Sequence, residues 1–383
     1  MTARPLSQAS FTLVSNGFAD SPAQAMRDFL VAHGAGRVQT IFHPLVPEDG
    51  GVHEIAVWQR GELTRRSSHA LPSRIPATYA LDLLVPAWPA ASDCWFGFNC
   101  LAAIRGLAAR RAGRTEQVVY WGIDYVDNRF GDGLMTRAYE WMDGVCCRQA
   151  TAWFDLSAAA MEARQRRHAG RPLARSAVVP MGAWLDRVPT TPSDGHLARR
   201  LVYMGHLVPR QGVTLVLEAL AVLAPEDPAV SADIIGRGPE LDGLKARAEA
   251  LGISDRVRFH GFVADHRELE RILASASVAF APYVPDETSF TSFADPGKLK
   301  SYLAAGLPIL MTAVPPNAAD LAAAGAAEVL EHDARAFAGA ARRLLESPAD
   351  WATRRGAARE YARQFDWETI LGEVLNDLGY AVD

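Results

Sequence analysis

The sequence has few cysteines, no excess of positive charge and no long apolar run. The cysteines form no CxxC pair and no cluster with histidines, so we expect neither a zinc site nor a disulfide framework, but reduced core residues. The four are Cys94, Cys100, Cys146 and Cys147. A formal net charge of −5 argues against nucleic-acid binding, which needs a basic surface. No apolar stretch is long enough to span a bilayer, and the N-terminal residues lack the apolar centre of a signal peptide, so we expect a cytoplasmic protein.

The length and composition predict two domains. The chain has 383 residues, of which 49% are hydrophobic and 22% are charged, as in globular proteins. Because a single core rarely serves more than about 250 residues, we expect a first domain over 1–190 and a second over 197–365. The stretch 189–196, rich in Pro and Thr, is the predicted linker. Residues 366–383 are predicted to form a helix that packs back on the first domain.

The first half begins with the opening unit of a doubly wound α/β domain. An apolar strand is predicted at 11–14, followed by Ser15, Asn16 and Gly17 and by a helix that opens at Ser21. The region 43–80 is rich in Pro, Gly and Arg and receives no prediction. Further strands are predicted at 37–42, 93–99, 117–123, 151–156 and 177–180, and helices at 100–112 and 134–142.

The second half shows a regular alternation of strands and helices. Such an alternation predicts a parallel sheet with helices on both faces, and ligands bind outside the carboxyl ends of the strands in such sheets. Glycine and basic residues gather at these predicted strand ends. The predicted strands are 201–204, 232–235, 256–259, 278–283 and 308–311, and the predicted helices are 213–223, 240–251, 266–275, 295–306 and most of the segment from 331 to 378.

The stretch 288–312 carries the clearest helix signals. Asp295 is a predicted N-cap, Pro296 suits the first helical position, and Gly306 is a typical helix stop. Lys298 and Lys300 then lie near the helix N-terminus, where free backbone N–H groups favour an anion, and this arrangement predicts a phosphate site. The alternative is an ordinary crossover helix with solvated lysines.

Four loops of the second half carry a family resemblance. They read GHLVPRQGV, GRGP, VRFHGFV and ADPGKLKSYLAAGLPI in chain order. With this order and spacing, the second half resembles the large retaining family 4 of nucleotide-sugar glycosyltransferases, which have the GT-B fold. In the first half, VVYWGIDYVDNRF and WFDLSAAAMEAR resemble a polysaccharide-cluster subgroup of that family.

The resemblance implies a fold and a reaction. It implies an α/β protein of two Rossmann-like doubly wound domains facing a central cleft. The first domain would hold the acceptor, and the second would hold the nucleoside-diphosphate sugar. Transfer would retain the anomeric configuration and would need neither a bound metal nor a cofactor. The expected partners are the sugar donor and a hydroxyl-bearing acceptor, and the sequence sets no oligomeric state.

Glycosyl transfer needs stabilisation of the departing diphosphate, which fixed positive charge supplies. We expect Arg210 and Lys298 in this role, with Asp124 as the catalytic carboxylate near the acceptor. Arg210 could instead be a solvated loop residue, and Asp124 could cap a turn or pair with Arg129. His206 could simply cap its strand end. Donor contacts are expected at Gly205, His206, Gly212, Arg237, Gly238, Val263, Asp295, Gly297, Leu299 and Ser301, and acceptor contacts at Asn16, Gly17 and Asn99.

The sequence departs from the family pattern at five positions. The first loop has His206 and Gln211 where the family has a basic residue and a lysine. The family's two glutamates would fall on Phe293 and Ser301, and its histidine before Asp124 would fall on Ile123. Contacts made by those family residues therefore cannot be transferred to this chain.

Two other functions remain open at this point. The missing glutamates and lysine would fit a catalytically silent subunit that binds a sugar nucleotide and activates a partner. A sugar-nucleotide epimerase of the same fold would need an acid and a base on the two sides of the sugar, and the sequence offers no such pair. The basic runs 105–114 and 164–175 are candidates for contact with an anionic membrane, although most charge runs are solvated faces.

Overall fold

A computed structural model describes residues 3–18, 21–44, 51–70, 91–189, 198–263, 265–285 and 295–382. The chain divides into two compact units. Unit 1 comprises Met1–Met181 and Trp367–Asp383, and unit 2 comprises Gly182–Asp366. Most of the predicted linker and the position of Phe293 lie outside the described residues.

Unit 1 contains an eight-stranded sheet and a small parallel pair. The helices that follow its strands are α1 (Pro22–Ala32), α2 (Cys100–Arg111), α3 (Leu134–Gln149) and α4 (Ala158–Arg167). The strands are β1 (Arg4–Pro5), β2 (Ser10–Asn16), β3 (Arg37–His43), β4 (Val52–Gln59), β5 (Glu62–Ala70), β6 (Ser92–Gly97), β7 (Thr115–Gly122), β8 (Ala152–Asp155) and β9 (Arg175–Val178).

The order of strands in the large sheet is β5-β4-β3-β2-β6-β7-β8-β9. The six strands from β3 to β9 pair in parallel, and β4 and β5 add an antiparallel hairpin at one edge. This hairpin occupies part of the region 43–80, which the sequence pattern left without a prediction. The parallel strands are predominantly apolar and buried because α helices cover the sheet, as in doubly wound domains.

Unit 2 contains a six-stranded sheet that is parallel throughout. Its strands are β10 (Arg200–Met204), β11 (Ser231–Ile235), β12 (Val257–Gly261), β13 (Val278–Ala281), β14 (Ile309–Met311) and β15 (Ala327–Val329). Its helices are α5 (Val213–Leu223), α6 (Leu241–Ala250), α7 (His266–Ala274), α8 (Gly297–Ala304), α9 (Ala318–Ala323), α10 (Ala334–Glu346) and α11 (Pro348–Ala362).

The order of strands in this sheet is β12-β11-β10-β13-β14-β15. Two apolar clusters enclose it. The first gathers side chains of α5, α6 and α10, and the second gathers side chains of α8, α9 and α11. The predicted parallel sheet with helices on both faces is therefore confirmed. The predicted strands and helices of this unit agree with the structure to within about two residues at most ends, as expected from the ambiguity of element boundaries.

The end of the chain returns to unit 1. Helix α12 (Trp367–Asp377) packs against α1, and β16 (Tyr380–Ala381) pairs in parallel with β1. The ring of Tyr380 lies edge-on to that of Phe11, with 4.9 Å between centroids. The four cysteines are free and buried, as predicted. Among the described residues, no helix is both long and apolar enough to cross a membrane.

Candidate functional site

The direction of chain progression reverses between β10 and β13 in the sheet of unit 2. From β10 the chain continues to β11 on one side, whereas from β13 it continues to β14 on the other. The loops that leave these two strands therefore diverge and open a crevice at the carboxyl edge, which is where doubly wound sheets bind nucleotides. The loop 205–212 follows β10, and the segment leading to α8 follows β13.

Lys298 reaches this crevice from the first turn of α8. Its Nζ donates to Oε1 of Gln211 at 2.5 Å and to the hydroxyl of Tyr203 at 3.3 Å. The ammonium also lies 4.5 Å and 4.7 Å from the ring centroids of Tyr203 and Tyr283. Both rings present their negative π-faces to a cation, which stabilises the charged form. A Cβ at Gly205 would lie 2.9 Å from this Nζ, so the glycine leaves room for the ammonium.

The ammonium of Lys298 has neutral partners. Among the residues that the structure describes, no carboxylate lies within ion-pair distance of it. Burial lowers its pKa to about 7, because the charged form loses hydration that no counter-ion replaces. At neutral pH the site is therefore poised between a charged and an uncharged state, and an anionic ligand would favour the charged one.

Three further basic side chains gather around the ends of β10 and β11. His206, Arg210 and Arg237 are exposed, and the guanidinium of Arg237 lies 4.9 Å from the ring centroid of Phe262. Partial burial and the positive charge of Arg237 lower the pKa of the His206 imidazole. Lys298 and Arg210 add to the same effect. The structure thus brings the predicted residues His206, Arg210, Arg237 and Lys298 into one electrostatic neighbourhood.

Glycines shape the loops of this neighbourhood. Gly212 has φ of 68°, and a Cβ there would lie 1.8 Å from the carbonyl oxygen of Pro282. A Cβ at Gly238 would lie 2.3 Å from the carbonyl oxygen of Leu207. Only glycine allows these close backbone approaches, so both residues serve to pack the loops together. Val263, after β12, is partly buried against the core, and its side chain makes the contact of an ordinary apolar residue.

The first turn of α8 differs from the prediction. The helix begins at Gly297, Pro296 occupies the N-cap position, and no side chain caps the turn, so the prediction of Asp295 as N-cap was wrong. The carboxylate of Asp295 instead accepts from the ammonium of Lys300. The side chains of Lys300 and Asp295 are only 1% and 7% exposed.

This ion pair also corrects the expectation of a solvated Lys300. Its ammonium lies 4.2 Å from the ring centroid of Phe365, inside the unit. Burial lowers the pKa of Lys300, whereas the charge of Asp295 opposes that shift. The backbone N–H of Leu299 donates to the carbonyl of Pro296. The side chain of Leu299 is fully buried in the core. The hydroxyl of Ser301 donates to the carbonyl of Gly297 at 3.4 Å within the helix.

In unit 1 the corresponding reversal of strand order lies between β2 and β6. The Nδ2 of Asn99, after β6, donates to Oδ1 of Asn16, at the end of β2, over 2.8 Å. The Oδ1 of Asn99 also accepts from the backbone of Ala102 and caps α2. The backbone N–H of Gly17 donates to the carbonyl of His43. The structure therefore brings together the three predicted acceptor residues at the carboxyl edge of this sheet.

Asp124 follows β7 and pairs with Arg129. Its Oδ2 lies 2.5 Å from the guanidinium, and its side chain is 47% exposed. The ion-pair alternative stated for Asp124 is thus what the structure contains. Because the carboxylate is half-exposed, it keeps a face that can accept from a hydroxyl. A small pocket with a cavity volume of about 20 Å³ lies beside it and is lined by Asp124, Tyr125, Arg129, Tyr139, Arg164 and Arg167, together with four other residues.

The floor of that pocket is a buried ion network centred on Arg164, whose side chain is only 3% exposed. The guanidinium donates to Asp143 and Asp155 and, at 2.8 Å, to the hydroxyl of Tyr120. Burial alone would raise the pKa of Asp143, but Arg164 and His168 outweigh it and lower that pKa. In the sequence, Arg164 is part of a basic run that could face a membrane. The structure corrects this for Arg164, because its side chain is buried.

One group of described residues has side-chain donors close enough for a metal ion. These are Asp143, Cys147 and His168, with ligand atoms within 4.8 Å of one another. Both oxygens of Asp143 are engaged, one by Arg164 and the other by His168 at 2.7 Å. The adjacent guanidinium would repel a cation, so the group is better described as part of the ion network.

The sequence also gave no sign of a histidine pair at the end of β3. The Nδ1 atoms of His43 and His53 lie 2.8 Å apart, and Nη1 of Arg105 lies 2.8 Å from Nε2 of His43. Burial, with the charge of Arg105, lowers the pKa of His43 to about 3. The ring is therefore neutral at physiological pH, which makes Nε2 the acceptor and Nδ1–H the donor to His53.

Comparison with known proteins finds a family model that matches most of unit 2. Residues 198–347 match the family model described as Glycosyl transferases group 1. A GDP-mannose-dependent alpha-(1-6)-phosphatidylinositol dimannoside mannosyltransferase of Mycobacterium tuberculosis is 30% identical over 179 residues, which cover 47% of this chain and 43% of the relative. A D-inositol 3-phosphate glycosyltransferase of Geodermatophilus obscurus is 31% identical over 236 residues, 56% of this chain and 49% of the relative. The chain spans less than half the length of these curated relatives.

Solved structures resemble the whole chain. Sucrose-phosphate synthase from Thermosynechococcus elongatus has a TM-score of 0.68 at 19% identity, over 97% of this chain and 99% of that one. HepE of Anabaena in complex with UDP has a TM-score of 0.67 at 15% identity, with the same coverage. At such identities the likeness defines the fold. Residues 198–347 therefore resemble the glycosyl transferases group 1 family, and the chain has the GT-B fold.

Proposed function

We propose that this chain is a retaining glycosyltransferase. It moves a sugar from a nucleoside diphosphate to a hydroxyl of a saccharide, a lipid-linked saccharide or a natural-product acceptor, without a metal. One observation carries the proposal: Lys298 lies in the crevice between β10 and β13, and the positive charges of Lys298, Arg210 and Arg237 all act on His206 in the loop that follows β10. A doubly wound sheet binds a nucleotide at this place, and the matched family transfers sugars.

The proposed reaction builds negative charge on the diphosphate. The acceptor oxygen forms a bond to the anomeric carbon, the bond from that carbon to the phosphate oxygen breaks, and the acceptor proton leaves with the diphosphate. Lys298 and Arg210 stabilise the departing oxygens, because fixed charges in a partly dry site need no reorganisation during the reaction. Asp124 and the Asn16–Asn99 pair orient the acceptor hydroxyl at the carboxyl edge of unit 1.

Titration with a set of activated sugars tests the proposal. The purified chain is titrated calorimetrically with UDP-, GDP- and dTDP-sugars, and nucleotide release is followed with and without saccharide acceptors. Binding of one donor with slow release of its nucleotide supports the transferase. Absence of binding to any activated sugar would overturn the proposal.

A second candidate is the catalytically silent subunit. The observation that favours it is at Ser301, whose hydroxyl is engaged within its own helix where the family carries a glutamate. Binding of a donor without turnover in the presence of every acceptor tested would select this candidate. The same experiment therefore separates the two functions.

The same proposal includes contact with an anionic membrane, because lipid-linked saccharides are among the predicted acceptors. The protein would bind its nucleotide sugar in the cytoplasm. Helix α3 supports this contact, because Leu134 and Trp141 are 82% and 64% exposed on a face that also carries Arg137. Exposed apolar and basic side chains on one helix face are typical of interfacial helices. Co-flotation with vesicles of anionic phosphatidylglycerol, compared with neutral phosphatidylcholine vesicles, tests it.

A further inference from the structure

We propose that Gln211 is a positioning residue: its side-chain amide holds the ammonium of Lys298 in the crevice without neutralising it. The positive charge then stays available to the diphosphate of a sugar nucleotide. The inference rests on the proposed function and deepens it, because it assigns a role to a residue that has no charge of its own and reacts with nothing.

Gln211 contacts Lys298 directly. Oε1 of Gln211 accepts from Lys298 over 2.5 Å, and the hydroxyl of Tyr203 accepts from the same ammonium over 3.3 Å. The hydroxyl of Tyr203 can donate to the carbonyl of His206 at 3.0 Å and to Oε1 of Gln211 at 3.4 Å. Two neutral oxygens thus define where the charge lies.

The backbone of Gln211 is held in place. The residue ends a 3₁₀ turn over Pro209–Gln211, and its N–H donates to the carbonyl of Val208 at 3.0 Å. The next residue, Gly212, is locked in the left-handed region against the carbonyl of Pro282. The fixed backbone on both sides of Gln211 restricts where its amide oxygen can lie, which is what positioning requires.

Lys300, the other lysine of the same helix, has a charged partner. Lys300 is neutralised by the carboxylate of Asp295, and an anionic ligand would have to break that pair to use its charge. An amide offers the same acceptor geometry as a carboxylate but no charge. Gln211 therefore immobilises Lys298 without neutralising the charge of the ammonium.

A consequence is that ligand binding recruits a proton. The side chains in contact with Lys298 are the amide of Gln211 and the phenols of Tyr203 and Tyr283. The nearest carboxylates beyond the phenols are Glu240, near Tyr203, and Asp295, which lies near Tyr283 and pairs with Lys300. The charges of Lys298, Arg210 and Arg237 all act on the imidazole of His206. No carboxylate among the described residues pairs with Lys298, so no ion pair holds the proton there before a diphosphate arrives. Burial, which lowers the pKa of Lys298 to about 7, makes the uptake measurable near neutrality.

The test compares near-isosteric variants of the full chain. The probe is UDP, GDP or dTDP, whichever binds the unaltered protein most tightly, and proton uptake is measured by calorimetry in buffers of different ionisation enthalpy. In Gln211→Glu the new carboxylate keeps Lys298 charged but pairs with it. We expect binding about tenfold weaker or more, and loss of proton uptake. The control is Gln364→Glu, which makes the same charge change at an exposed position of the same unit.

An exchange of the two side chains provides the second test. Lys298→Gln alone is expected to weaken binding of the probe, and the double variant Gln211→Lys with Lys298→Gln is expected to recover about tenfold or more of that loss, because the amide and the ammonium again face each other. Melting temperatures and circular dichroism report whether each variant folds. If Gln211→Glu matches the control variant in both affinity and proton uptake, or if the exchange recovers nothing, the inference is overturned while the proposed function stands. Failure of the unaltered protein to bind any of the nucleotides overturns both.

Discussion

Lys298 and Lys300 lie two residues apart in α8, and the ammonium of one has neutral partners whereas that of the other pairs with a carboxylate. Lys300 forms a buried ion pair with Asp295, whereas Lys298 is held by the neutral side chains of Gln211 and Tyr203. Successive side chains in a helix point about 100° apart, so residues i and i+2 cannot share a face. Lys300 therefore lies inside unit 2, whereas Lys298 lies in the crevice.

Replacement of Lys298 tests its role in the reaction. We expect Lys298→Ala to lower turnover by a factor on the order of a hundred or more, as for loss of one donor to a developing negative charge. Steady-state rates of nucleotide release measure the effect. Lys245→Ala removes an exposed lysine from α6 of the same unit and serves as the control. Equal rates in the two variants would remove Lys298 from the mechanism.

The affinity for nucleoside diphosphate is expected to depend on pH. Because the pKa of Lys298 is about 7 in the free protein, the ammonium is charged below that pH and becomes neutral above it. Binding of the diphosphate should therefore weaken as the pH rises through about 7, approaching a tenfold loss per pH unit at most. Titrations from pH 6 to pH 9 measure this. Lys298→Arg should bind with a flatter profile, since a guanidinium stays charged over the whole range. A slope that persists in this variant would assign the titration to another group.

Asp124 is expected to act on transfer more than on donor binding. Asp124→Asn removes the charge and the ion pair with Arg129 while keeping the shape of the side chain. We expect transfer to an acceptor to fall by about tenfold or more, with little change in nucleotide affinity. Glu162→Gln, which breaks an exposed pair with Arg166 in the same unit, is the matched control. A collapse of nucleotide affinity in Asp124→Asn would contradict the assignment of donor binding to unit 2.

The network around Arg164 is expected to be structural. Arg164→Met leaves the carboxylates of Asp143 and Asp155 buried without their counter-ion, and removal of one partner of a buried pair costs about 3–5 kcal/mol of unfolding free energy. Urea denaturation monitored by circular dichroism measures the loss. Arg166→Met removes an exposed guanidinium two residues away in the same helix and should change stability little. Similar midpoints for the two variants would show that the network does not hold the first unit together.

The fold could be predicted from the sequence to a large extent. Short apolar runs alternate with segments of helical periodicity, and this alternation predicted that both halves are doubly wound. The prediction is possible because the spacing of apolar residues within a segment indicates whether that segment is a strand or a helix. The strand-end loops from Gly205 to Phe262 followed from the same pattern, whereas the contact between Asn16 and Asn99 did not. The hairpin of β4 and β5 was missed because its outer strand is largely exposed and charged, and so lacks an apolar signal.

The partners of individual side chains were decided by tertiary structure. The sequence identified Lys298, Arg210 and Asp124 as candidate site residues, and it marked Asp295 as a helix cap. It could not show that Asp295 pairs with Lys300, or that Arg164 lies in the core of unit 1 instead of on a basic surface. Local pattern fixes the type of each element, but the charge and burial that a side chain experiences come from segments far away in the chain. Only the packing of those segments decides which lysine is neutralised and which keeps its charge for a ligand.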